Sequence, residues 1–216
     1  MTRKPWRLPG GNTRVVPGFI EGHGHLLALG HSLSILNLGD AGDWQEIVDR
    51  VRRTAGAAPS GTWVEGRGWH QEKWRVGPGR DVEGYPVHDA LSQATSGHPV
   101  VLDHSSGHLL MANAAAMAQA GVTPETIDPL GGRIVREKDG APTGVFIDAA
   151  MDLILQPFEK ERSLRGLVQI ETDERQAIQR ATDHCLANGV TSFQDAGSMF
   201  DEVDRLQRLA LAGELG

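Results

Sequence analysis

Apolar positions along the 216-residue chain change period several times, and each change predicts an element. Residues 1–14 are polar and carry Pro5, Pro9, Gly10 and Gly11, the composition of a loose lead-in. The apolar run from Val15 to Ile20 reads as a strand and ends in Glu21-Gly22-His23-Gly24-His25; residues 26–38 read as a short helix and loop. Asp43 is placed to cap a helix whose Trp44, Ile47, Val48 and Val51 form one stripe, ending near Gly56. Thr62 to Gly66 is strand-like, and Pro86 is expected at the first position of a short helix ending near Gly97. Pro99–His104 and His108–Ala112 pattern as a hairpin around Ser105-Ser106-Gly107, and Asn113 caps a helix closed by Gly121. A second hairpin pairs Arg133–Glu137 with Thr143–Ile147, followed by helix over 148–166. Asp173 and Gln176 have capping-box spacing before a helix with Ala177, Ile178, Ala181, Cys185 and Leu186 on one face. Val190–Asp195 is then a strand, and the last helix turns Phe200, Val203, Leu206 and Leu209 inward.

Helix, strand, helix with short joins is a piece of a parallel α/β sheet. Such a sheet buries both faces and calls for a further strand, whereas the sequence stops at Gly216. The chain is too short for a complete eight-stranded α/β barrel, which needs ~250 residues.

Charge and composition narrow the function. A net charge of -7 and a pI near 5.7 oppose a nucleic-acid surface. Arg3, Lys4 and Arg7 precede no apolar stretch, so no secretory signal is expected; nor is a membrane span, the run from Leu109 to Ala118 being too short. The single cysteine, Cys185, fits a reducing cytoplasm and falls on a helix's apolar face as core.

Candidate chemistry lies in the histidines. His23 and His25 alternate with Gly24 along an extended strand and therefore face the same way, an arrangement able to offer two imidazole nitrogens to one divalent cation, zinc by preference. His31 reads as structural. The loop Arg67-Gly68-Trp69-His70-Gln71-Glu72-Lys73-Trp74 is dense in aromatic and polar groups; Trp69 and His70 are candidates for a substrate wall, with core packing the alternative. His104 and His108 flank the first hairpin's tip.

The run Pro17-Gly18-Phe19-Ile20-Glu21-Gly22-His23-Gly24-His25 resembles the first barrel strand of the metal-dependent amidohydrolase superfamily. The likeness continues through Arg67-Gly68-Trp69-His70-Gln71, Pro99-Val100-Val101-Leu102, Gly107-His108, Asn113-Ala114-Ala115, Asp128-Pro129-Leu130-Gly131-Gly132, Pro142-Thr143-Gly144-Val145 and Gly189-Val190-Thr191-Ser192. That order is similar to the amidohydrolase-3 branch, the YtcJ-like and N-substituted formamide deformylase group. The resemblance implies an α/β fold: a partial (β/α)8 TIM-type barrel, first strands only, with an inserted α+β subdomain. It divides the chain into 1–58 (lead-in, first strand and following helix), 59–166 (the insert, roofing the site) and 167–216 (barrel continued). It implies that His23 and His25 hold a divalent metal, that His108 lines the substrate pocket, and that the substrate is a small amide or formamide. Asp195 stands where an acidic residue often follows Gly-Val-Thr and reads as a structural strand-end carboxylate.

Several features depart from that pattern. Only sixteen residues precede Pro17, His70 stands where Asp is common, and Ser105 and Ser106 replace an Asp before Gly-His. The family draws its other metal ligands and its catalytic aspartate from later strands that this chain does not contain, so no catalytic residue is assigned. Two other readings stay open: a truncated, non-enzymatic remnant completed by self-association, and a small metal-binding module built from His23, His25, His104 and His108.

Overall fold

The computed structural model describes residues 16–215; the lead-in expected at 1–14 lies outside the described residues. In chain order the elements are β1 (Phe19–Gly24), α1 (Leu26–Ser32), β2 (Leu36–Asn37), α2 (Trp44–Ala57), β3 (Val64–Trp69), β4 (Asp81–Val82), β5 (Tyr85–Pro86) and α3 (Asp89–Ala94). They continue as β6 (Val100–His104), β7 (Leu109–Ala112), α4 (Ala114–Gln119), β8 (Gly132–Arg136), β9 (Pro142–Asp148), α5 (Asp152–Ser163), α6 (Leu167–Ala187), β10 (Val190–Asp195) and α7 (Phe200–Leu211). Among the described residues no helix is long and apolar enough to cross a membrane. The chain divides into two compact units, His31–Arg175 and the residues on either side of it.

His31–Arg175 is a mixed α/β unit around a six-stranded sheet of order β2-β3-β6-β7-β9-β8. β2, β3 and β6 run parallel, and the remaining neighbours are antiparallel: β6–β7 and β8–β9 as hairpins, β7–β9 across the intervening α4 and β8. Period-two alternation sends successive side chains to opposite faces, and two cores result. Val100, Leu102, Leu109, Met111, Val135 and Val145 pack with the stripe of α2 and with Leu91 of α3. Val101, Leu110, Ala112, Ile134 and Phe146 pack with Ala116 and Met117 of α4 and Ile154 and Phe158 of α5. A sheet covered on both faces explains why its strands read as continuous apolar runs.

The caps of this unit are as the sequence indicated. Asp43 accepts from the Glu46 N–H at 2.8 Å. Asn113 is buried and fully engaged: its side-chain oxygen accepts from Val100 N–H (3.0 Å) and Ala116 N–H (2.9 Å), and its amide donates to Thr95 Oγ1 (2.9 Å) and the His98 carbonyl (2.8 Å). Pro86, expected to open a helix, instead pairs with Asp81 in the β4–β5 ribbon, whose turn residues Glu83 and Gly84 both have positive φ; α3 starts three residues later. The two-residue β2 was not foreseen. It draws 31–58, grouped from the sequence with the first strand, into the His31–Arg175 unit, with α2 in the same core.

In the other unit β1 and β10 pair parallel, Phe19 opposite Val190 and Gly24 opposite Asp195. Ala177, Ile178 and Ala181 of α6 are buried, Cys185 is half-buried and Leu186 is exposed. The helix begins at Leu167, so Asp173 is not its cap; with no Gly or Pro between Gly166 and Asp173, nothing interrupts the first turns, and Asp173 accepts from the Gln169 side chain one turn back. On α7 Leu209 is buried, but Phe200 is 93% exposed and Val203 lies open as well, contrary to the inward face expected.

Candidate metal centre

β1 positions the first two candidate ligands. His23 lies within the strand, and His25 one residue beyond it, immediately before α1. Their ring centroids are 5.9 Å apart and the planes nearly perpendicular, so both imidazoles occupy one side of the strand end. Both residues are exposed, and neither ring is hydrogen-bonded to another described residue. Gly24 between them is required by packing: a Cβ there would lie 2.3 Å from the Phe193 ring of β10. Gly197 is pressed against His25 in the same way, its notional Cβ being 2.6 Å from Nδ1.

Asp195 closes the arrangement from β10. One oxygen accepts from the Leu26 N–H (2.8 Å), capping α1 immediately after His25, and the other from the Gly197 N–H (3.0 Å). Burial works upward on its pKa, but the bonds from Gly197, Leu26 and Ser198 outweigh it and hold the carboxyl below its usual value. Its role here is that of a strand-end structural carboxylate.

Two imidazoles on one side of a strand end, neither hydrogen-bonded through its ring among the described residues, are a donor set that suits zinc or a similar ion. Among the described residues no group of three His, Cys, Asp or Glu side chains converges, so these two would be part of a coordination sphere.

The other candidates lie in the His31–Arg175 unit. Trp69, for which a substrate wall and core packing were both open, takes the core: it is fully buried and donates its indole N–H to the Leu102 carbonyl at 2.9 Å, with Trp74 stacked on it. A bulge is responsible: the β3–β6 register slips between Arg67 and Trp69 at Gly68, whose φ is 93°, and this turns Trp69 to the core face shared by Val64. His70 is half-buried and caps a 3-10 turn, Nδ1 accepting from the Glu72 N–H at 3.3 Å, its ring against His104.

His104 is buried and committed on both nitrogens. Nδ1 accepts from the Ser106 N–H (3.1 Å), which leaves the proton on Nε2, directed at Gln71 Oε1 (3.1 Å). Burial, with His70 and Lys73 nearby, lowers its pKa to about 4. That engagement removes it from the closed four-histidine set considered above.

His108, by contrast, is 78% exposed, and its Nδ1 is 3.1 Å from Oδ1 of Asp148, itself 51% exposed. Asp148, at the end of β9, has φ 49° and ψ −125°, a corner that side chains other than glycine rarely enter, at a cost of about 1–3 kcal/mol. An exposed contact of this kind returns only about 0–1 kcal/mol. Sequence reasoning missed Asp148; a non-glycine residue at positive φ leaves no mark in composition or period.

The six-stranded sheet, covered by helices on both faces, places the molecule among mixed α/β proteins. A crystal structure of an uncharacterized metal-dependent hydrolase from Pyrococcus horikoshii shares the fold, with a TM-score of 0.59 at 24% identity over 92% of this chain and 35% of that one. The profile of the amidohydrolase family matches residues 11–215, and the chain belongs to that family. Protein LONG AFTER FAR-RED 3 of Arabidopsis thaliana is 34% identical over 186 residues, which are 86% of this chain and 29% of that protein. The N-substituted formamide deformylase of Arthrobacter pascens is 26% identical over 204 residues, 93% of this chain and 36% of that protein. The chain thus spans about a third of the length of the curated relatives it matches.

Proposed function

We propose that these 216 residues are the N-terminal part of a metal-dependent hydrolase of non-peptide C–N bonds, amide or formamide, with His23 and His25 as two of its metal ligands. The observation that carries the reading is the pair itself: two exposed imidazoles, 5.9 Å apart on one side of a strand end, with no ring hydrogen bond among the described residues. The formamide preference is drawn from the Arthrobacter relative, and the barrel reading is supported by the direct parallel pairing of β1 with β10.

A divalent ion, zinc by preference, would supply an activated water and an electrophile for the carbonyl. The chain's own residues do the rest of what can be derived. Asp195 fixes the start of α1 and with it the backbone next to His25; Gly197 leaves the volume that the His25 ring fills. His108 enters this proposal on the family resemblance alone, as a polar contact to the substrate.

Calorimetric titration with zinc tests the reading. We expect binding by the purified chain that His23→Ala and His25→Ala each weaken at least tenfold, with negligible hydrolysis of formanilide by the chain alone. Zinc affinity unchanged in both variants would refute the assignment.

A further inference from the structure

His108 combines high exposure with unusual restraint. Its N–H donates to Ser106 Oγ (3.1 Å), its carbonyl accepts from the Asp148 N–H (2.9 Å), and its Nδ1 faces Oδ1 of the same aspartate (3.1 Å). Ser106 is held in turn by His104, whose Nδ1 lies 2.9 Å from its hydroxyl. The backbone and one ring nitrogen are thus tied on three sides, and Nε2 is the polar atom left over. Exposed histidines with a purely solvating role do not need such a frame.

Asp148 supplies two of the three ties from a backbone conformation that glycine would adopt more easily. Glycine could make the main-chain bond equally well. What glycine lacks is the carboxylate, so the strain is retained for the bond to the ring.

An ionised carboxylate only accepts, so Nδ1 of His108 must donate, and in the neutral ring Nε2 then carries the lone pair. We infer that Asp148 is a positioning residue: it holds His108 in the Nδ1–H tautomer and presents Nε2 outward as a hydrogen-bond acceptor for an N–H or O–H group on the ligand. The ligand part rests on the proposed role of His108 in contacting an amide substrate. A secondary amide or formamide carries such an N–H, whereas an N,N-disubstituted one does not.

The test is imidazole 15N NMR on the uniformly labelled 216-residue chain near pH 8, with the His108 signals assigned through His108→Gln. We expect the Nδ1–H form to dominate in the parent protein and in Asp148→Asn, whose amide oxygen still accepts. Asp148→Gly and Asp148→Ala should revert His108 to the Nε2–H form that an unconstrained imidazole favours. Asp148→Gly should also melt at the parent temperature or a few degrees above it, because it relieves the backbone. A parent His108 in the Nε2–H form, or a tautomer indifferent to Asp148→Gly and Asp148→Ala, overturns the inference. Added formanilide should shift the Nε2 resonance and N-methylformanilide should not. If the tautomer responds to Asp148 as expected while formanilide leaves Nε2 unmoved, the positioning role stands and the substrate contact of His108 fails.

Discussion

At the residue scale the candidate centre depends on side chains that are missing as much as on those present. Gly197→Ala would drive a methyl group to within 2.6 Å of Nδ1 of His25, and the ring must rotate away. We expect zinc affinity to fall at least tenfold with an unchanged far-ultraviolet circular dichroism spectrum, checked by calorimetry and dichroism on one preparation. The histidine pair itself was legible in the sequence, because an i, i+2 relation on a strand fixes a common side whatever the strand packs against. Trp69 was legible only as a choice between wall and core, and it is the bulge at Gly68 that turns the indole inward. The partnership of His108 with Asp148, forty residues apart and brought together by β7–β9 pairing, was not legible.

Two titratable groups one residue apart, half-buried Asp103 and buried His104, respond oppositely to pH. Burial, reinforced by Glu65 and opposed by Arg67 and His31, lifts the Asp103 carboxyl from 3.8 to about 6, while His104 is lowered from 6.5 to about 4. Folded Asp103 keeps a proton that the unfolded chain releases near 3.8, so its contribution is lost as pH rises toward about 6. Folded His104 declines a proton that the unfolded chain takes near 6.5, so its contribution is lost as pH falls toward about 4. The two slopes offset in the shared window. Urea denaturation should therefore show little pH dependence there in the parent protein. Asp103→Asn should expose a loss of ~1–2 kcal/mol on acidification, and His104→Gln a loss of similar size as pH rises.

At the element scale Asn113 joins three pieces of secondary structure. It caps α4, receives the first N–H of β6 and bonds to Thr95 and His98 beyond α3. Asn113→Ala would leave two buried donors and two acceptors short of partners, and we expect a loss of about 2–4 kcal/mol by urea denaturation. The cap was visible in the sequence because an Asn before Ala-Ala-Ala is a local signal; its long-range bonds depend on strand order and were not. The start of α6 shows the converse. Asp173 and Gln176 carry the letters of a capping box, yet a helix already running from Leu167 has no orphan N–H for Asp173 to serve.

At the scale of the whole molecule the six-stranded unit is continuous in sequence, whereas β1 and β10 are separated by all of it. The resemblance to the first amidohydrolase strand was carried by local motifs. Where the first strand's segment ended was not legible, since a two-residue β2 is too short to impose a period and yet draws α2 into the larger sheet. Phe19 and Ile20 of β1 remain 59% and 66% exposed, so little burial holds that strand beyond its pairing with β10. Limited proteolysis should accordingly leave a resistant product close to 31–175, trimmed from both sides, and mass spectrometry of the digest would check it.

The separation of β1 from β10 also sets an order of events during biosynthesis. A ribosome delivers Phe19–Gly24 early and Val190–Asp195 some 170 residues later, about ten to thirty seconds at ordinary elongation speeds. Throughout that interval the nascent histidines have no strand alongside them, so under the proposed assignment cation capture must await synthesis of β10.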